Sequence, residues 1–90
     1  MKTYNFVCRT TVTDFIESYQ VGEMFYSLFC DRDYLEVGIC YEGDGVEVLS
    51  VSSESKVDGK KIKILLEFLK SKNIPILSTS FSHQKTSEVK

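Results

Sequence analysis

The chain has no alanine and no tryptophan, a single proline (Pro75), a single histidine (His83) and three cysteines in ninety residues. No apolar run approaches the roughly eighteen residues of a membrane-spanning helix. Each shortage excludes something. His83 stands where the hydrophobic pattern is running out, so a Ser/His or Cys/His catalytic pair would depend on a residue with no visible orienting partner. Cys8, Cys30 and Cys40 are odd in number and lack C-x-x-C spacing. They make neither a disulfide framework nor a zinc half-site and are expected to be buried thiols. Met1 to Asn5 lack the apolar core and small-residue cleavage site of a secretory leader, so the expected location is cytoplasmic, without membrane contact. No glycine-rich phosphate loop occurs: Glu42-Gly43-Asp44-Gly45 is neither G-x-x-x-x-G-K-[ST] nor G-x-G-x-x-G. No cofactor and no metal are expected, and the expectation for catalysis is none.

What remains is ordinary globular material, 42% hydrophobic and 27% charged. Ninety residues suffice for one core. The expected organisation is one domain over 1–82 followed by a disordered tail over 83–90, His-Gln-Lys-Thr-Ser-Glu-Val-Lys.

Thr3 to Thr11 alternates Tyr4, Phe6 and Cys8 against Asn5, Arg9 and Thr11, which predicts a half-buried strand. Asp14-Phe15-Ile16-Glu17 reads as an Asp capping box that starts a helix. Its end admits two readings. A helix running to Phe29 aligns Phe15, Tyr19, Gly22, Phe25, Tyr26 and Phe29 in one stripe. A helix stopping near Gln20 uses Gly22 as its cap and leaves Glu23 to Cys30 as an aromatic strand, and this shorter helix is the expectation. Tyr34 to Glu42 alternates cleanly, and Gly43-Asp44-Gly45 supplies a turn into a second strand ending at Ser53. A three-residue loop with Gly45 left-handed sets Leu49 opposite Ile39 and Val51 opposite Val37. Asp58 can cap a helix in which Ile62, Leu65, Leu66 and Leu69 follow a helical period, widened by Ile64 and Phe68. Asn73 and Pro75 end it, and Ile76 to Ser82 forms a last strand.

The predicted class is therefore α+β, a mostly antiparallel sheet of four or five strands with two helices on one face, in the order β-α-(β)-β-β-α-β. With the long first helix this becomes the ferredoxin-like order. The strands that precede the lysine-bearing helix give an order similar to the double-stranded RNA-binding domain. The histidine-bearing loop and alanine-rich helix of that family are absent, so no residue role is carried over.

Charge is unevenly spread. From Thr13 to Glu54 the balance is −9, and from Ser55 onward it is +5, within a total of −2. Nine lysines against two arginines suggest an AT-rich genome, and a phage or low-GC bacterial source is the compositional expectation. The leading functional expectation is a small protein-binding regulator or inhibitor that meets a basic partner through Asp31, Asp33, Glu42, Asp44 and Glu47. The widened second helix adds a possible homodimer. Two alternatives stand beside it: a ferredoxin-like small-molecule-binding or enzymatic domain whose site is completed by a dimer, and a nucleic-acid-binding module using Lys60, Lys61 and Lys63.

Overall fold

The computed structural model describes residues 2–30 and 34–85. They form β1 (Lys2–Thr11), α1 (Phe15–Phe29), β2 (Tyr34–Gly43), β3 (Val46–Ser53), α2 (Gly59–Ser71) and β4 (Ile76–Lys85). The strands make one sheet in the order β2-β3-β1-β4, with every neighbouring pair antiparallel. This is the ferredoxin-like arrangement.

α1 departs from the expected short helix. It begins as the sequence indicates, with the Asp14 carboxylate accepting from the Glu17 amide at 2.7 Å and Glu17 accepting from the Thr13 amide at 2.9 Å. It then continues through Gly22 to Phe29, and the strand expected over Glu23 to Cys30 does not exist. Burial decides the matter. Val21, Phe25 and Phe29 are fully buried four residues apart. Each such side chain contributes about 1.5–3 kcal/mol, against about 1 kcal/mol for a glycine within a helix.

The β2–β3 hairpin keeps its expected body register, Ile39 opposite Leu49 and Val37 opposite Val51. Its tip differs from the expected three-residue loop. Asp44 and Gly45, with φ of 54° and 77°, form the two-residue turn that follows strand twist, and a shift between Tyr41 and Gly43 restores the register. α2 is capped by Asp58, whose carboxylate accepts from the Lys60 amide at 2.9 Å. It ends with Asn73 left-handed at φ 59° and the Ile74 amide donating to the Leu69 carbonyl at 3.0 Å, a Schellman closure that buries Ile74.

Both helices cover one sheet face. Along β3, Glu47, Leu49, Val51 and Ser53 are buried while the residues between them are half-buried. Phe6, Cys8, Leu49 and Val51 meet Val21, Phe25 and Phe29 of α1 and Ile62, Leu65 and Leu69 of α2. The other face carries an Arg9/Glu42 ion pair at 3.2 Å and a Ser52 hydroxyl donating to Asn5 at 2.6 Å. Of the three thiols expected inside, only Cys8 is buried; Cys30 and Cys40 are exposed. β4 runs to Lys85, so His83, Gln84 and Lys85 belong to a strand paired with β1 and not to a tail. Residues 86–90 of that expected tail lie outside the described residues. Among the described residues, no helix is long and apolar enough to cross a membrane.

Candidate functional site

A groove of about 590 Å³ runs between α1 and β2, within the range of small-molecule pockets. Phe15, Tyr19 and Tyr26 line it from the helix, Ile39 and Tyr41 from the strand. A second hollow bounded by Asp14 and Gly45 shares Phe15, Ser18 and Tyr41 with it, so the two adjoin at the first turn of α1. At Gly22, which also lines the groove, an added Cβ would lie 3.6 Å from Ile39 Cδ1.

The rings are conspicuously uncovered. Phe15 is 84% exposed, Tyr19 60%, Tyr26 44% and Tyr41 66%. On α1 these residues follow the helical period but lie to one side of the buried Val21/Phe25/Phe29 row, so they serve the groove and not the core.

A buried carboxyl stands behind this wall. Tyr41 is paired with Glu47 across the hairpin, so both side chains point toward the helices. Glu47 is fully buried. Its Oε2 accepts from the Ser18 hydroxyl at 2.7 Å, and Ser18 Oγ lies 2.9 Å from Tyr41 Oη. Ser18 has one proton, and it is given to the carboxylate; Tyr41 must then donate to Ser18. The result is a relay from an exposed phenol through Ser18 to a buried carboxyl. Glu47 Oε1 has no partner among the described residues, and neither does the buried Oγ1 of Thr10, the residue paired with Glu47 on β1. Buried polar atoms in this state cost about 1–3 kcal/mol each.

Among the described residues, the expected acidic surface is reduced to Glu42 and Asp44. Glu47 is inside, which corrects its expected place at the surface. Glu42 is exposed but receives both a 3.2 Å and a 3.3 Å hydrogen bond from Arg9. Asp44 is exposed on the hairpin turn. Asp31 and Asp33 lie outside the described residues. Of the lysines, Lys60 and Lys63 are exposed on the first turns of α2, whereas Lys61 is half-buried with its ammonium 5.2 Å from the centre of the Tyr34 ring.

Sequence reading missed Ser18, Tyr19, Tyr26, Tyr41 and the inward role of Glu47. Two signals were present. The long-helix stripe holds Phe15, Tyr19 and Tyr26, and the alternation that turns Leu49 and Val51 inward turns Glu47 inward too.

No protein-family model matches the chain, and no curated protein is similar to it in sequence. Solved structures share its fold. A Deinococcus radiodurans protein assigned as an antibiotic biosynthesis monooxygenase matches with a TM-score of 0.58 at 7% identity, over 99% of this chain and 95% of that one. SnoaB, a cofactor-independent oxygenase from Streptomyces nogalater, matches with a TM-score of 0.54 at 14% identity, over 99% of this chain and 97% of that one. Acylphosphatase from Bacillus subtilis matches with a TM-score of 0.51 at 12% identity, over 98% and 90%. At these identities the likeness is one of fold, and the fold hosts unrelated chemistries.

Proposed function

We propose that this domain binds a small, ring-bearing organic molecule in the groove between α1 and β2. The observation that carries the reading is the set of exposed aromatic side chains, Phe15, Tyr19, Tyr26 and Tyr41, ranged around one groove with a polar relay at its wall. Aromatic rings left in water forgo the burial that other phenylalanines of this chain obtain, and a stacked ligand restores it. The lining comes from one copy of the chain. The regulator reading draws less from the geometry, since Glu47 is buried and Glu42 is ion-paired.

The test is a fluorescence titration with phenylnaphthylamine, a neutral aromatic probe. Saturable binding of one probe per chain, lost in a Phe15→Ala/Tyr19→Ala double variant that remains folded, is the expected result. Binding that the double variant leaves unchanged counts against the groove.

The hydrogen-bonded chain favours a second, catalytic reading. A bound hydroxyl against Tyr41 can pass a proton through Ser18 toward Glu47, a general-base arrangement. Under it, Tyr41→Phe abolishes the deprotonation of a bound phenol, read as loss of its phenolate absorbance, while leaving its binding intact. A phenolate signal unaffected by Tyr41→Phe removes this reading.

A further inference from the structure

The charged side chains that line the groove and its continuation are acidic. α1 carries Glu17 and Glu23 and no lysine or arginine, while Glu42 of β2 pairs with Arg9 on the opposite sheet face and adds nothing to the groove. Glu23 lines the groove itself, Asp14 bounds its continuation, and Glu47 lies one hydrogen bond behind Ser18. Lys61 sits over the Tyr34 ring, and Lys72, over Phe68, borders a separate hollow that Glu23 also touches.

The aromatic lining adds to the same sign, because a ring presents a negative quadrupole from its face. Tyr41 adds to it again. Its proton is committed to Ser18, so what it offers a ligand is an oxygen lone pair. A carboxylate, sulfonate or phosphate entering the groove would lose water and meet acceptors. A neutral ring would gain burial alone. A ring with a positive charge would gain burial, cation–π attraction and the pull of Glu23 and Glu47 together.

We infer that the groove's ligand is a planar aromatic cation, a ring system carrying a protonated or quaternary nitrogen. The rings of Phe15, Tyr19, Tyr26 and Tyr41 hold its plane, and its charge lies toward Glu23 and the Ser18/Glu47 end. Glu23 in the lining and Asp14 at its continuation draw such a cation toward the groove. The inference deepens the small-molecule reading and rests on it, since it names the sign of the ligand that the groove accepts.

Three aromatic probes of different charge separate the two ideas: ethidium, neutral phenylnaphthylamine and anionic anilinonaphthalene sulfonate. They are titrated against the full chain and against Glu23→Gln and Glu47→Gln. Ethidium is expected to bind about tenfold or more tightly than the neutral probe, with the sulfonate weakest. Glu23→Gln lies on an exposed position and removes one charge without disturbing the core. It is expected to weaken ethidium by roughly three- to tenfold and to leave phenylnaphthylamine unchanged. Glu47→Gln does the same wherever circular dichroism shows it folded, and added salt weakens ethidium alone. Equal affinities for all three probes, or ethidium binding untouched by Glu23→Gln, overturn the cation inference while the groove stands. No probe bound at all overturns both, as does a self-associated state that Phe15→Asp dissociates, since a second copy then fills the groove.

Discussion

At Glu47 the chain places a carboxyl where burial is complete and only one of its two oxygens is hydrogen-bonded. Such a group weakens a fold, and retaining it makes sense as the polar end of a binding site. Glu47→Leu is expected to raise the unfolding free energy by about 1–2 kcal/mol in urea denaturation, and to abolish the preference for cationic probes. A loss of stability would show that the carboxyl supports the fold instead. The residue was half legible beforehand. Its position on the inward phase of β3 followed from Leu49 and Val51, but acidic residues are so seldom fully buried that alternation lost to composition. Cys8 illustrates the opposite case, a thiol whose environment could be read. Burial pushes it up from 9.0 to about 11. Below pH 9.0 the thiol is protonated in both folded and unfolded chains. Above it the unfolded chain ionises first, so this residue makes stability fall as pH rises from 9.0 toward about 11. In the native protein at about pH 8, a thiol reagent should modify Cys30 and Cys40 quickly and Cys8 only on unfolding. Three equally fast thiols would contradict the packing of β1 under the helices.

At the scale of elements, the groove depends on how α1 lies against β2, and Gly22 is part of its lining. A Cβ there meets Ile39 at an ordinary contact distance of 3.6 Å. Gly22→Ala is therefore expected to stabilise the protein by about 0.5–1 kcal/mol through helix propensity, and to weaken aromatic probes by narrowing the floor. Destabilisation on thermal melting would mean that the added methyl is not accommodated against Ile39. This glycine also explains why α1 was misread. A glycine in the middle of a segment looks like a cap, and only the packing of Phe25 and Phe29 on the sheet shows that the helix continues past it. The hairpin shows what local chemistry can and cannot fix. Face matching recovered the register of Val37, Ile39, Leu49 and Val51, whereas the turn type was set by the shift at Glu42, which alternation does not reveal. Gly45→Val, at φ 77° and with Val12 O at 3.4 Å from the added Cβ, is expected to cost about 1 kcal/mol or more in unfolding free energy. An unchanged midpoint would contradict the left-handed turn.

Across the whole molecule, the order β-α-β-β-α-β was within reach of the sequence, because four strands and two helices each had a periodic signature and caps at their ends. The site was less so. It joins residues from α1, β2 and β3 that no local pattern connects, and its aromatic side chains resemble core until the helix is seen to face them outward. One consequence follows from where β2 lies. It is an edge strand, hydrogen-bonded to β3 alone, and its pairing shifts near both ends, between Tyr34 and Glu36 and between Tyr41 and Gly43. One wall of the groove is thus hung from the sheet by a single ladder, and its opening costs less than that of β1, which is paired on both sides. A molecule lodged between α1 and β2 would pack on the inner face of that edge strand and brace it against α1. Occupancy should therefore be written in amide hydrogen exchange, as slowing along Val37 to Tyr41 with little change along Phe6 to Arg9, and the looseness of the edge becomes the means by which the fold registers that its groove is full.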